Sequence, residues 1–178
     1  MKTKTICPDL ADYQTIKKIY ERSFPADERM PFAMFQDLLD TADTSFLAFY
    51  DEEQLCGFAH LFHFEDYSII DYLAVNPDIR AQGYGSKMLQ TLEQHFPQQT
   101  LIVEIEHLSE TADNQEERLK RRHFYHKNGY QSSGYHIDFA DLRYDIYVSK
   151  GKFLSDKYYK VYAQSFPNHS YKPVKNDD

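Results

Sequence analysis

Hydrophobic positions along this chain switch between a period near 3.6 and a period of 2, and the switches mark out its elements. Tyr13, Ile16, Ile19 and Tyr20 recur at helical spacing, which predicts a helix from about Asp9 to Phe24 with Asp9 or Asp12 available as its cap. Two prolines and a charge cluster make Phe24 to Pro31 a loop. A second helix follows, with Pro31 suited to its first turn and Phe32, Phe35, Leu38 and Leu39 as its buried face. The pattern then shortens to strands over Ser45 to Tyr50, Gln54 to Phe64 and Ser68 to Val75. Their connections, Asp51 to Glu53 and Glu65-Asp66, are short enough to require antiparallel neighbours. Asn76-Pro77-Asp78 breaks the third strand. Met88, Leu89, Leu92 and Phe96 restore the helical period over Tyr84 to His95.

Beyond that crossover helix, Thr100 to Glu106 is a strand able to lie parallel to the one before it. His107 to Asn114 reads as loop, and Glu116 to Asn128 as a helix closed by Gly129, where a left-handed residue is wanted. Strands over Ser133 to Phe139 and Leu142 to Val148 come next, with Ala140-Asp141 as their turn. Phe153, Tyr158, Val161, Tyr162 and Phe166 form the aromatic face of a short C-terminal helix, which needs cover from its own sheet or from a second subunit. From Pro167 the chain reads as a flexible tail. The expectation is therefore an α/β (α+β) chain: one domain over residues 1–166, with a mixed, mostly antiparallel sheet of about six to seven strands flanked by helices.

The strand, glycine turn and helix centred on Arg80-Ala-Gln-Gly83-Tyr-Gly85-Ser86 carry the first chemical signal. Glycines let backbone approach a ligand closely, and the first N–H groups of a helix have no partner of their own, so the arrangement is an anion site. It is not a dinucleotide fingerprint, because Met88 stands where the third glycine belongs. Nor is it a Walker loop, since Gly-Ser-Lys runs in the wrong order.

Composition narrows the setting. The 178 residues can bury a full core, and no apolar run is long enough to cross a membrane. Met1-Lys-Thr-Lys-Thr lacks the apolar stretch of a signal peptide. Two cysteines are no disulfide framework, which points to a cytoplasmic setting. A net charge of −8 argues against nucleic acid as partner and suits a cationic one.

Three side-chain groups invite functional readings. His60 and His63 sit three apart on a strand, hence on opposite faces, and cannot chelate one metal together. Glu104 and Glu106 share a strand face with Ile102. Glu106 has a strand end to explain it, whereas Glu104 needs a partner or a solvated cleft and is a candidate base. Arg118, Lys120, Arg121, Arg122, His123 and Lys127 make a basic block in an acidic protein, either a solvated face or a surface for polyphosphate.

Arg80-x-x-Gly83-x-Gly85 after a Leu-Ala-Val strand resembles the pyrophosphate loop of the GNAT superfamily of N-acyltransferases. Phe124-Tyr125-His-Lys-Asn-Gly129-Tyr130 resembles the end of that family's fourth helix, and the two motifs stand in the family's order. The resemblance covers about Asp9 to Val148 and implies direct acetyl transfer from acetyl-CoA to a primary amine, small molecule or peptide, without metal. It places acetyl-CoA between the Tyr72–Val75 and Leu101–Glu106 strands. Backbone groups of Leu73 and Val75 would hold pantetheine, and the amides of Gln82, Gly83, Tyr84, Gly85 and Ser86 the pyrophosphate, with Arg80 shaping the loop. Tyr125 becomes the general acid for the departing thiolate and Glu104 the base, with Asp71 and Glu106 as weaker alternatives; neither cysteine is required. Arg118 departs from the asparagine common there, and the loop before its helix is long. The other reading is a CoA-binding domain of the same fold without catalysis, serving regulation or assembly. A monomer and a homodimer both fit.

Overall fold

The computed structural model describes residues 1–109, 112–139, 142–166 and 172–176. Its strands are β1 (Lys2–Thr5), β2 (Thr44–Asp51), β3 (Gln54–Phe64), β4 (Tyr67–Val75), β5 (Thr100–Glu106), β6 (Gln131–Phe139), β7 (Leu142–Val148) and β8 (Val174–Lys175). The helices are α1 (Tyr13–Ser23), α2 (Met34–Thr41), α3 (Tyr84–His95), α4 (Gln115–Lys127) and α5 (Ser155–Ser165). One mixed sheet takes the order β1-β2-β3-β4-β5-β7-β6-β8. β4 and β5 are parallel, Tyr67–Ile69 opposite Thr100–Ile102, because α3 carries the chain back between them. The pairs β1–β2, β2–β3, β5–β7, β6–β7 and β6–β8 are antiparallel. Hairpin turns between β2, β3 and β4 are tight enough to need left-handed backbone at Glu52 (φ 53°) and Glu65 (φ 52°).

The sheet has eight strands where the pattern implied six or seven. The additional two are edges. β1 is Lys-Thr-Lys-Thr, mostly exposed and without alternation, and its place follows from backbone pairing to Leu47–Tyr50 alone. The tail expected from Pro167 lies partly outside the described residues, but within its described part Val174 and Lys175 pair with His136 and Tyr135. His136 Nδ1 lies 2.6 Å from Asn176 Oδ1, which ties that end down. The turn expected at Ala140-Asp141 lies outside the described residues.

Two helix starts differ from expectation. Asp12 occupies the N-cap position of α1 but makes no cap bond, because its carboxylate accepts the Tyr50 hydroxyl at 2.9 Å instead. α2 begins at Met34 rather than near Pro31, whose carbonyl accepts the Met34 N–H in the preceding turn. Phe32 is buried all the same.

Two compact units divide the chain, one of Met1–His63 with Ile70–Pro97, the other of Phe64–Ile69 with the described residues from Gln98 onward. The core of the first is aromatic: Tyr20 meets Phe24, Phe32, Phe35, Phe58 and Tyr72 at centroid distances of 5.1–6.1 Å. Three of these, to Phe35, Phe58 and Tyr72, are edge-to-face, a geometry that adds about 0.5–1.5 kcal/mol each beyond area burial. In the second unit α5 packs on its own chain, which answers the question its aromatic face posed. Phe153 contacts Tyr67, Tyr135 and Tyr158, and the Tyr67 hydroxyl accepts the Leu154 N–H at 2.7 Å and donates to Lys152 O at 3.0 Å.

Gly57 on β3 sets how closely α3 approaches in the first unit. A Cβ built there would stand 2.2 Å from Ala74 O and 3.0 Å from the Met88 side chain. Backbone cannot yield as a side chain tip does, so Gly57→Ala should cost about 1–3 kcal/mol. Urea unfolding checks this: the midpoint should fall with an unchanged slope, and an unshifted midpoint would show that β3 and β4 part freely.

Candidate functional site

Asn76, directly after β4, is held three ways. Its N–H donates to Cys56 O at 2.8 Å, its Nδ2 to Leu55 O at 3.3 Å, and its Oδ1 accepts Asp78 N–H at 3.1 Å. A 3-10 turn over Pro77–Ile79 follows, and Arg80 is extended. Ala81 (φ 64°) and Gly83 (φ 79°) are then both left-handed before α3 begins at Tyr84. Such residues alternating with right-handed ones turn successive N–H groups towards one concavity. The first bond from α3 back into the loop is Lys87 N–H to Gly83 O at 3.2 Å, so the amides of its opening turn have no intrahelical acceptor. In front of Gly83 lies open space: a Cβ would meet nothing within 4 Å. Arg80 is exposed and, among the described residues, has no ion pair. Gln82 is exposed, Gly85 and Ser86 are half-buried, and the Tyr84 hydroxyl is tied to Gln54 Oε1 at 3.3 Å. Lys87 is committed to Asp51 at 3.4 Å.

Upstream on β4, Leu73 and Val75 are half-buried and alternate with buried Tyr72 and Ala74. Tyr72 donates to Glu28 O at 2.7 Å and accepts Met30 N–H at 3.4 Å; Tyr20 donates to Met30 O at 3.0 Å. Two phenols thereby pin the loop between α1 and α2. Burial first, with the neighbouring Asp71 charge adding to it, raises both hydroxyls above the ordinary tyrosine range. Asp71 is 19% exposed, and its Oδ2 lies 3.1 Å from Nδ1 of fully buried His60.

Tyr125 lies in the last turn of α4, in the second unit, with edge-on and tilted ring contacts to Phe124 and Tyr130. Gly129 (φ 87°) closes the helix in the left-handed conformation expected of it, and Tyr130 N–H returns to Tyr125 O at 3.0 Å. The Tyr125 side chain is 8% exposed, and no described residue hydrogen-bonds its hydroxyl. Burial, only partly offset by Arg121, pushes its pKa up to about 12.

Glu104 and Glu106 share a face of β5 but have different partners. Tyr158 and Tyr162 of α5 both donate to Glu104 Oε1, at 2.5 and 3.0 Å. Glu106, 7% exposed, is enclosed by Arg118 at 3.0 Å, Arg121 at 2.5 Å and Asn114 at 3.1 Å. Arg122 pairs with Asp145 at 2.5 Å, and Asp145 also bonds His107. Those three arginines of the basic block thus serve internal carboxylates. A hollow of about 290 Å³ at the start of α5, lined by Phe64, Glu65, Leu154, Asp156, Lys157 and Lys160 among others, contains none of the sequence-predicted residues.

His60 and His63 have separate partners, His63 Nε2 lying 2.8 Å from Ser45 Oγ. Among the described residues no three His, Cys, Asp or Glu side chains gather as a metal site, and no helix is long and apolar enough to cross a membrane. Cys7 and Cys56 are free thiols.

A parallel strand pair with a glycine-capped helix between them, set in an otherwise antiparallel sheet, defines an acyltransferase-like fold, and comparison with known proteins agrees. The sequence profile of the acetyltransferase (GNAT) family matches residues 13–130, and the chain belongs to that family. YjbC of Bacillus subtilis (strain 168), provisionally named an acetyltransferase, is 25% identical over 158 residues, 85% of this chain and 80% of YjbC. A GNAT-family structure from Bacteroides thetaiotaomicron superposes with a TM-score of 0.72 at 20% identity, covering 90% of this chain and 92% of that one. An aminoglycoside 6'-N-acetyltransferase complexed with coenzyme A gives 0.61 at 14% identity, over 83% and 96% of the two chains.

Arg80 to Ser86, Leu73, Val75 and Asp71 fall in the first unit, and Tyr125, Glu104 and Glu106 in the second. The partners of the carboxylates escaped sequence reading. His60 had a usable signal, a polar ring in register with Phe58 and Phe62 in an apolar column, whereas the tyrosine pair on Glu104 needed the position of α5.

Glu106 supplies a stability prediction. Glu106→Ala strands two guanidiniums, one of them nearly half exposed, so the loss should be about 3 kcal/mol rather than the upper end for buried pairs. Chemical denaturation measures it, and a loss below about 1 kcal/mol would mean the arginines find water instead.

Proposed function

We propose that this chain is an N-acetyltransferase that moves the acetyl group of acetyl-CoA directly to a primary amine. The observation that carries this reading is the loop before α3. Left-handed backbone at non-glycine Ala81 costs energy, about 1–2 kcal/mol, and strain of this kind, held by the surrounding structure, clusters at binding and active sites. Unbonded amides at a helix start, open space before Gly83 and a free guanidinium at Arg80 fit a pyrophosphate. In this reading the amides of Gln82 to Ser86 and Arg80 hold it, and backbone of Leu73 and Val75 holds pantetheine.

Acetyl-CoA supplies an activated thioester. An ammonium acceptor gives one proton to a carboxylate, and its nitrogen attacks the carbonyl carbon. The carbon–sulfur bond breaks, and Tyr125 protonates the thiolate. A hydroxyl whose pKa stands at about 12 keeps its proton across the neutral range, as a donor must. The nitrogen gives up two protons in all, so one is accounted for by the thiol and one passes to solvent. Glu104 is the base that resemblance assigns. Two phenols already occupy its Oε1, and we assign it instead to holding α5 in place. Asp71, partly exposed and with no described residue on Oδ1, is the better acceptor of the proton.

Thiol release from acetyl-CoA over spermidine, an aminoglycoside and an alanine-initiated peptide tests the activity. At least one amine should release thiol above hydrolysis. Tight CoA binding with no release from any amine would instead favour a non-catalytic CoA-binding domain.

Gly83→Val should weaken CoA binding at least about tenfold in a folded protein, because a β-branched residue disfavours the left-handed backbone. Calorimetric titration decides, and unchanged affinity would remove the loop from the site. Tyr125→Phe should lower kcat on the order of ten- to a thousandfold while acetyl-CoA affinity holds. Full turnover would leave Tyr125 a core aromatic.

A further inference from the structure

His60 is fully buried and in contact with Phe35, Phe46 and Phe62 at centroid distances of 4.8, 5.9 and 4.9 Å. Among the described residues its Nε2 has no hydrogen-bond partner. A buried polar atom left unpaired costs about 1–3 kcal/mol, and a phenylalanine would occupy this place without that cost. The ring has one polar contact to set against it, Nδ1 to Asp71 Oδ2 at 3.1 Å. Geometry also selects the proton's position. A carboxylate oxygen accepts, so Nδ1 carries a hydrogen and is the donor to Asp71, while Nε2 faces the surrounding rings. Asp71 is then anchored by one oxygen, while Oδ1 has no described partner on a side chain that reaches solvent. The surrounding hydroxyls do not compete for it: Tyr72 serves Glu28 and Met30, and Tyr20 serves Met30. Lone pairs on an oxygen held in place by a rigid ring are pre-aimed, which a freely rotating aspartate is not.

We propose that His60 is a positioning residue: its Nδ1–H fixes the Asp71 carboxylate so that Oδ1 takes the proton from the acceptor's ammonium. This rests on the acetyl-transfer reading and adds to it the residue that aims the base. His60 gives up no proton and touches no substrate; the proton moves from nitrogen to Asp71 Oδ1 and then to solvent.

The test takes whichever panel amine wild type acetylates and compares His60→Phe, His60→Asn, Asp71→Asn and the Phe/Asn double variant. Phenylalanine keeps the ring volume and removes the donor; asparagine returns an N–H near the Nδ1 position. His60→Phe should stay folded, bind acetyl-CoA as wild type does, and lose roughly ten- to a hundredfold in kcat. His60→Asn should recover part of that loss. The double variant should be no slower than Asp71→Asn alone, since two residues acting as one unit do not add. Ring nitrogen-15 NMR of wild type should show His60 protonated at Nδ1. Wild-type kcat in His60→Phe, multiplying losses in the double variant, or a ring without a proton at Nδ1 would each overturn the pair while leaving acetyl transfer standing. A wild type that acetylates no amine would overturn the acetyl-transfer reading, and the pair's role with it.

Discussion

The close seating of α3 on β3 and β4 is the constraint from which the candidate site follows. Gly57 leaves no room for a Cβ between Ala74 O and Met88, and Asn76, bonded to Leu55 and Cys56, fastens the end of β4 to β3 just where the strand must stop. With the strand end fixed and the helix axis fixed, residues 77–83 must bridge them. They do so with a 3-10 turn and left-handed backbone at Ala81 and Gly83. The outward amides of the first turn of α3 are a consequence of that bridge. Strain at Ala81 is sustained because packing on both sides overdetermines the path.

Carboxylate chemistry sorts itself by the donor each group has. Glu106 and Asp145 face guanidiniums at 2.5 Å, charge-assisted contacts that fill their lone pairs and hold α4 and the His107 region in place. Glu104 takes two phenol hydroxyls on one oxygen and so secures α5. Asp71 has a single imidazole donor and solvent on its other side. A group whose lone pairs are all taken by donors cannot easily exchange a proton with a ligand; one held by a single donor, with an oxygen left over, can. That difference, rather than position along a strand, is what supports Asp71 as the base in the proposed reaction.

Much of this was legible in the residues. Strand, breaker, glycines and amphipathic helix made Thr100–Glu106 and Tyr84–His95 readable to their ends, because each rests on local periodicity and local turn chemistry. Edge strands were not legible: Lys2–Thr5 has no apolar alternation, and its pairing is a property of the exposed edge of β2. Asp12 looked like a helix cap, and tertiary structure gave its carboxylate to Tyr50 instead. The glycine loop and Tyr125 could be named from motif, since a backbone shape and a helix end depend on nearby residues. Partners of Glu104, Glu106 and Asp71 could not, for they come from 8 to 58 positions away.

Amide NMR with coenzyme A tests the central claim, that the bridge between β4 and α3 is a pyrophosphate site, more directly than any assay of turnover. On titration the N–H resonances of Gly83, Tyr84, Gly85 and Ser86 should shift together and saturably, as amides gaining an anionic acceptor do. Coenzyme A that binds and leaves those four amides unmoved, or that does not bind at all, would contradict the account.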